Sequence, residues 1–142
     1  SQSFRIATTV HAQPTNPGQI ACLTVSDSAG GLFILAGVRK RSDSPNALEL
    51  FSAIGKGGEI NPDTEQEIPF EGGPVCLVLE MQQGTFKILK QAANDPAPIE
   101  FSTGRLEGEL PNPTAGVTVC AGQSSRVPFA ADFDWIRLEA RP

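Results

Sequence analysis

Apolar and polar residues alternate with a period of two through most of the chain, the pattern of strands with one buried and one wet face. Phe4, Ile6, Thr8 and Val10 alternate with Arg5, Ala7, Thr9 and His11, which predicts a half-buried first strand ending in the proline turn of residues 13–18. Residues 20–26 form a second strand, and the loop Asp27-Ser-Ala-Gly-Gly31 supplies glycines for positive φ in a hairpin. Residues 32–38 are almost continuously apolar, as expected of a central strand covered on both faces.

The window 45–54 is the only one that would tolerate a helix, and a strand suits it nearly as well. Residues 55–67 read as a long polar excursion and the most mobile segment. The clearest hairpin follows: Val75, Leu77, Leu79 and Met81 share a face, Gln83-Gly84 turns, and residues 85–90 return. Residues 99–101 and 115–121 are short strands, and the loop 122–128 hands over to the last strand, 130–140. There Ile136, Leu138 and Ala140 alternate with Arg137, Glu139 and Arg141, but Phe133 falls out of phase. A β-bulge near Asp134 and Trp135 would let Phe133 and Ile136 both point to the core. This strand holds the only tryptophan and is received last into the sheet, so it closes the fold.

Punctuation by twelve prolines and fourteen glycines spaces the strands as in a sandwich or barrel. The fold class is all-β. A length of 142 residues suits a single domain, 1–142, able to bury a core without staples. Sixteen acidic against eleven basic residues, without a basic cluster, leave no electrostatic footprint for nucleic acid. No apolar run reaches the roughly 20 residues of a membrane helix. Ser1 opens without a charged and then apolar leader, so the chain reads as a mature or excised piece.

Candidate chemistry is sparse. His11 is the only histidine and has no nucleophile motif nearby, so it reads as a strand-surface residue rather than a catalytic base. Gly55-Lys-Gly-Gly58 lacks the strand, spacing and helix of a phosphate loop. Glu80 and Asp134 could meet as a carboxylate pair, but acids on a wet strand face are ordinary, and the chain is read as a non-enzyme. Cys22, Cys76 and Cys120 have no metal or redox spacing. Each lies opposite the heavier aliphatic face of its strand. They are separate small fillers, or, if their strands neighbour one another, one cross-strand disulfide with a spare thiol.

Sugar binding needs an aromatic platform flanked by polar groups. With no tyrosine, Trp135 is the candidate platform, with Arg137, Glu80 and Gln82 as neighbours; the alternative is a packed closing-strand aromatic. Phe4, Phe33, Phe51, Phe86 and Phe133 sit in apolar strands and are assigned to the core. Asp132, Asp134 and the carbonyls of residues 124–126 could supply hard oxygens for a Ca²⁺.

The succession of Phe4 and Ile6, then Gln19-Ile-Ala-Cys-Leu-Thr-Val25, Phe33-Ile-Leu-Ala-Gly-Val38, Pro74-Val-Cys-Leu-Val-Leu-Glu80, Gly84-Thr-Phe-Lys-Ile88, Ala115-Gly-Val-Thr-Val119 and Ala131-Asp-Phe-Asp-Trp-Ile-Arg-Leu-Glu139 resembles the concanavalin A-like sandwich domains at the C-terminus of β-xylosidase-type glycoside hydrolases. The resemblance implies an antiparallel two-sheet jelly-roll sandwich. It further implies a non-catalytic carbohydrate-binding or accessory module of a secreted, extracellular protein, with catalysis in a separate domain, and a structural Ca²⁺ at Asp134. The alternative is a structural or assembly module that packs against copies of itself or a protein partner, as jelly rolls of surface, capsid and decoration proteins do.

Overall fold

The computed structural model describes residues 3–27, 31–41, 43, 44, 46–108, 110, 113–120 and 129–141. These form ten strands and no helix: β1 Ser3–Ala12, β2 Ile20–Asp27, β3 Leu32–Lys40, β4 Leu48–Lys56, β5 Glu59–Phe70, β6 Val75–Gln82, β7 Thr85–Ala92, β8 Ile99–Arg105, β9 Pro113–Cys120 and β10 Ala131–Arg141. They divide into two five-stranded antiparallel sheets, β10-β1-β6-β7-β8 (sheet A) and β5-β4-β3-β2-β9 (sheet B). The sheets stack with β10 over β9, β1 over β2 and β8 over β5, a jelly-roll β-sandwich.

The core is the filling between the sheets. Phe4, Ile6, Leu79, Met81 and Ile88 of sheet A interleave with Leu23, Val25, Leu32 and Ile34 of sheet B. A second cluster joins Val10 and Leu77 to Ala21, Val38 and Leu50, with Phe133 packed against it. Each contributing strand presents alternate residues inward, as its hydrophobic pattern requires. A buried polar contact also joins the sheets: Ser52 and Ser102 share a hydrogen bond at 2.5 Å. Satisfying each other, they avoid the cost of an unpaired buried hydroxyl.

The β6–β7 hairpin forms as the sequence predicts, with Gln83 and Gly84 at φ 51° and 80°, the two positive values of a type I′ turn. In β10 the register slips by one residue opposite Thr9, so Val10 faces Phe133 while Thr8 faces Ile136. This is the bulge the broken phase called for. Buried Thr8 donates its Oγ1 hydrogen to the Trp135 carbonyl, 2.5 Å away, satisfying an acceptor that the bulge takes out of the regular ladder.

Two expectations are corrected. Residues 55–67 are not a polar excursion: β4 runs to Lys56, Gly57 and Gly58 turn at φ 64° and 85°, and β5 returns along β4. Because β5 is an edge strand, water reaches most of its side chains and its sequence carries little alternation. Ile136 and Leu138 lie on the inward side of β10, opposite Thr8 and Ile6, yet they are 46% and 62% exposed. They face the interior at the margin of the sandwich, where both sheets end.

Candidate functional site

The strand registers set the outer face of sheet A as rows running across the strands. Trp135 stands in the row of Thr9, Cys76 and Gln91; Arg137 in that of Ala7, Val78 and Leu89; Glu139 in that of Arg5, Glu80 and Lys87. The sequence-predicted Trp135, Arg137, Glu80 and Gln82 therefore share one face. They do not form one tight pocket. Glu80 is on β6, two strands from β10, roughly 10 Å across, and its row lies four residues, about 13 Å, along from the Trp135 row. Gln82, opposite Ser3 and Thr85, is a further row pair away, at the far end.

Trp135 is 43% exposed, held by the bulge and by the Thr8 bond to its carbonyl. Arg137, the most open of its neighbours with 71% of its side chain exposed, has Nε 2.9 Å from Glu139 Oε1. Beyond it, Glu80 lies 3.5 Å from both Arg5 and Lys87. Between these polar groups small residues pave the surface, with Ala7 and Val78 buried and Thr9 and Cys76 half-buried. The result is a face of small residues with one half-exposed indole at its β10 end and alternating charges across the row of Glu139, Arg5, Glu80 and Lys87.

The outer face of sheet B is built differently, because it is closed by its own side chains. Cys22, Leu35 and Phe51 form a buried cluster there, flanked by Ile20 and Phe33. Phe33 lies across Gly55 of β4, in the space a Cβ would need. Phe33 and Phe51 thus serve this outer cluster rather than the core between the sheets. The Arg39 guanidinium covers the Phe51 ring at 4.4 Å, donates from Nε to Glu49 at 2.7 Å and from an Nη to Glu65 at 2.6 Å, and approaches Glu67 at 4.0 Å. Burial works against the charge on Arg39, but the bonds to Glu65 and Glu49 outweigh it and hold its pKa above the usual arginine range. Nothing in the local pattern of the sequence marks this cluster, whose members come from β2, β3, β4 and β5.

The thiols separate by sheet. Cys22 and Cys120 lie on the outer face of neighbouring β2 and β9, two positions out of register; Cys76 is on the outer face of sheet A. All three are free. Burial pushes the Cys22 thiol up to about 12, a hydrogen bond with Thr24 lowers it in part, and the nearby Cys120 adds to the rise. Burial also raises Cys76, opposed by Thr9 and the Arg5 charge.

Asp134 stands at the bulge and is exposed, as is Asp132 opposite His11. The carbonyls expected to join them, in residues 124–126, lie outside the described residues, as does the rest of the loop 122–128. Among the described residues no three His, Cys, Asp or Glu side chains cluster as a metal site.

No family model and no curated protein matches the sequence. Solved structures do match the fold. The GH43 protein BlXynB from Bacillus licheniformis superposes with a TM-score of 0.78 at 14% identity, over 98% of this chain and 28% of that one. A xylan β-1,4-xylosidase from Bacillus halodurans C-125 gives 0.76 at 17% identity, with the same coverage. A functionally unknown protein from Saccharomyces cerevisiae gives 0.73 at 15% identity, over 99% of this chain and 70% of that one. The chain thus spans little more than a quarter of the two bacterial proteins, and the part it resembles is the C-terminal β-sandwich domain of GH43 xylosidases.

Proposed function

We propose that this chain is a non-catalytic accessory module of a secreted carbohydrate-active protein, and that the outer face of sheet A, with Trp135 as its platform, is where it meets polysaccharide. The observation that carries the reading is the contrast between the two outer faces. On sheet B the aromatic surface is consumed by its own Arg39–Glu49–Glu65 cover. On sheet A the indole of Trp135 is left half open, beside Arg137 and the charged row through Glu80.

A flat apolar ring with hydrogen-bonding groups at its margins suits the apolar face and hydroxyl rim of a pyranose. The open face suits a chain lying along the surface rather than a small ligand enclosed in a pocket. Similarity to the part of GH43 xylosidases outside the catalytic domain supports an accessory role, and makes xylan the first polysaccharide to try.

Affinity electrophoresis of the chain through gels containing xylan, arabinoxylan or β-glucan tests this. The chain is expected to be retarded by at least one of them, and Trp135→Ala, with an unchanged circular dichroism spectrum, to run unretarded. Equal mobility of both proteins in every gel removes the proposal.

A further inference from the structure

Apolar exposure is concentrated at one margin of the sandwich. Ile136 and Leu138 on β10, at 46% and 62% exposed, and Val117 and Val119 on the facing β9, at 38% and 48%, all point inward between the sheets where both sheets end. β10 is the edge of sheet A, and among the described residues nothing pairs with its outer side. An open, regular edge of this kind accepts another strand.

The other edges are less suited to this: β8, the far edge of sheet A, has only seven residues and pairs with β7 through a register irregularity. Edge strand β5 carries Pro62 and Pro69 among acidic residues, and β9 begins at Pro113. β10 has no proline, and beyond its bulge it runs regularly from Ile136 to Arg141.

We propose that two copies of this chain associate through β10, antiparallel about a twofold axis at Leu138, joining the two A sheets into one ten-stranded sheet. The strand itself selects the register. A twofold perpendicular to a continuous sheet must set a residue against its own copy and keep inward residues beside inward ones. Centring on Arg137 would set arginine against arginine, and centring on Glu139 would set glutamate against glutamate. Centring on Ile136 drives Leu138 into the bulge of the other strand.

With Leu138 on the axis, every pair is compatible. Leu138 meets Leu138, Ile136 meets Ala140 on both sides, and Arg137 meets Glu139 twice on the outer face, where like charges directly opposite would be destabilising. The same step shelters Val117 and Val119 beneath the joined strands. Pairing edge to edge leaves the outer face of each A sheet uncovered and engages Arg137 only at the margin of that face.

Sedimentation equilibrium of the chain over a range of micromolar to submillimolar concentrations reads the association. The expected result is a mass rising to twice the monomer, and a monomer throughout for Leu138→Lys, which sets two ammonium groups on the axis. Arg137→Glu and Glu139→Arg are each expected to weaken dimerisation about tenfold or more, by placing like charges opposite in two pairs. The double exchange Arg137→Glu/Glu139→Arg is expected to restore it.

Thermal melts of the single exchanges distinguish lost pairing from lost fold. Should Leu138→Lys fail to fold, the charge-exchange series carries the test alone. A wild-type monomer at every concentration overturns the proposal. A dimer indifferent to Leu138→Lys removes β10 from the interface, and a double exchange no tighter than the singles overturns the register.

Discussion

Replacing Arg39 by methionine isolates what closes the outer face of sheet B. Methionine keeps most of the apolar stem but removes the charge that Glu49 and Glu65 share at 2.7 and 2.6 Å. Glu49 is only 8% exposed, so its carboxylate is left largely desolvated and without its main partner. Breaking a fully buried pair in this way costs about 3–5 kcal/mol; with Arg39 and Glu65 still reached by water, about 2–3 kcal/mol applies here. The lost contact with the Phe51 ring adds roughly 0.5–1 kcal/mol.

A total near 3 kcal/mol corresponds to a fall in Tm of about 6–12 °C for a domain of this size. Urea unfolding followed by far-UV circular dichroism measures it. Because much of the cost is a stranded charge, adding Glu49→Gln to Arg39→Met is expected to recover about half of the loss. A single variant within about 0.5 kcal/mol of wild type, or a double variant that is simply the sum of the two singles, would refute the closed-face argument.

Thr8→Val removes the hydroxyl that serves the Trp135 carbonyl at the bulge and is expected to cost about 1–2 kcal/mol, with a shift in the tryptophan emission as the bulge loosens. Asp95 accepts from Lys90 at 2.7 Å and from the Ala92 amide at 2.8 Å, and both hold its carboxyl below the usual aspartate range, Lys90 most strongly. Since the folded value is the depressed one, its contribution is complete above about pH 4, the ordinary carboxylate value, and is lost as pH falls through the folded pKa; an NMR titration of Asp95 checks the direction, and Asp95→Asn should flatten that part of the stability profile. With an aromatic disulfide reagent at pH 8, exposed Cys120 is expected to react first and Cys76 more slowly, while buried Cys22, with its pKa near 12, reacts only on unfolding.

What could be read in advance was what local pattern determines. The alternation of Phe4, Ile6, Thr8 and Val10, the Gln83-Gly84 turn and the bulge at Asp134 and Trp135 each follow from side-chain period or turn chemistry within a few residues. β5 was not readable, because an edge strand wet on most positions needs no alternation and its pairing is imposed by the Gly57-Gly58 turn and by β4. Phe33 and Phe51 were assigned to the core, whereas they lie on the outer face of sheet B, where the cover over Phe51 rests on Arg39 meeting Glu65, a contact 26 residues apart in sequence.

The same limit applies at β10. Its inward face was legible, whereas its place at the sheet edge, which leaves Leu138 exposed, follows from sheet order and from no feature of the strand. The candidate site was half legible: Trp135, Arg137, Glu80 and Gln82 share a face because strand phase says so, and lie spread along it because β1 separates their strands.

The most direct test of the binding face is acrylamide quenching of the single tryptophan, with and without xylo-oligosaccharides and the longer polysaccharides. Trp135 should be readily quenched in the free chain and become protected, saturably, as one saccharide is added. Quenching that stays unchanged under every saccharide, at concentrations where the fold is intact, would contradict the account and remove Trp135 from any sugar site.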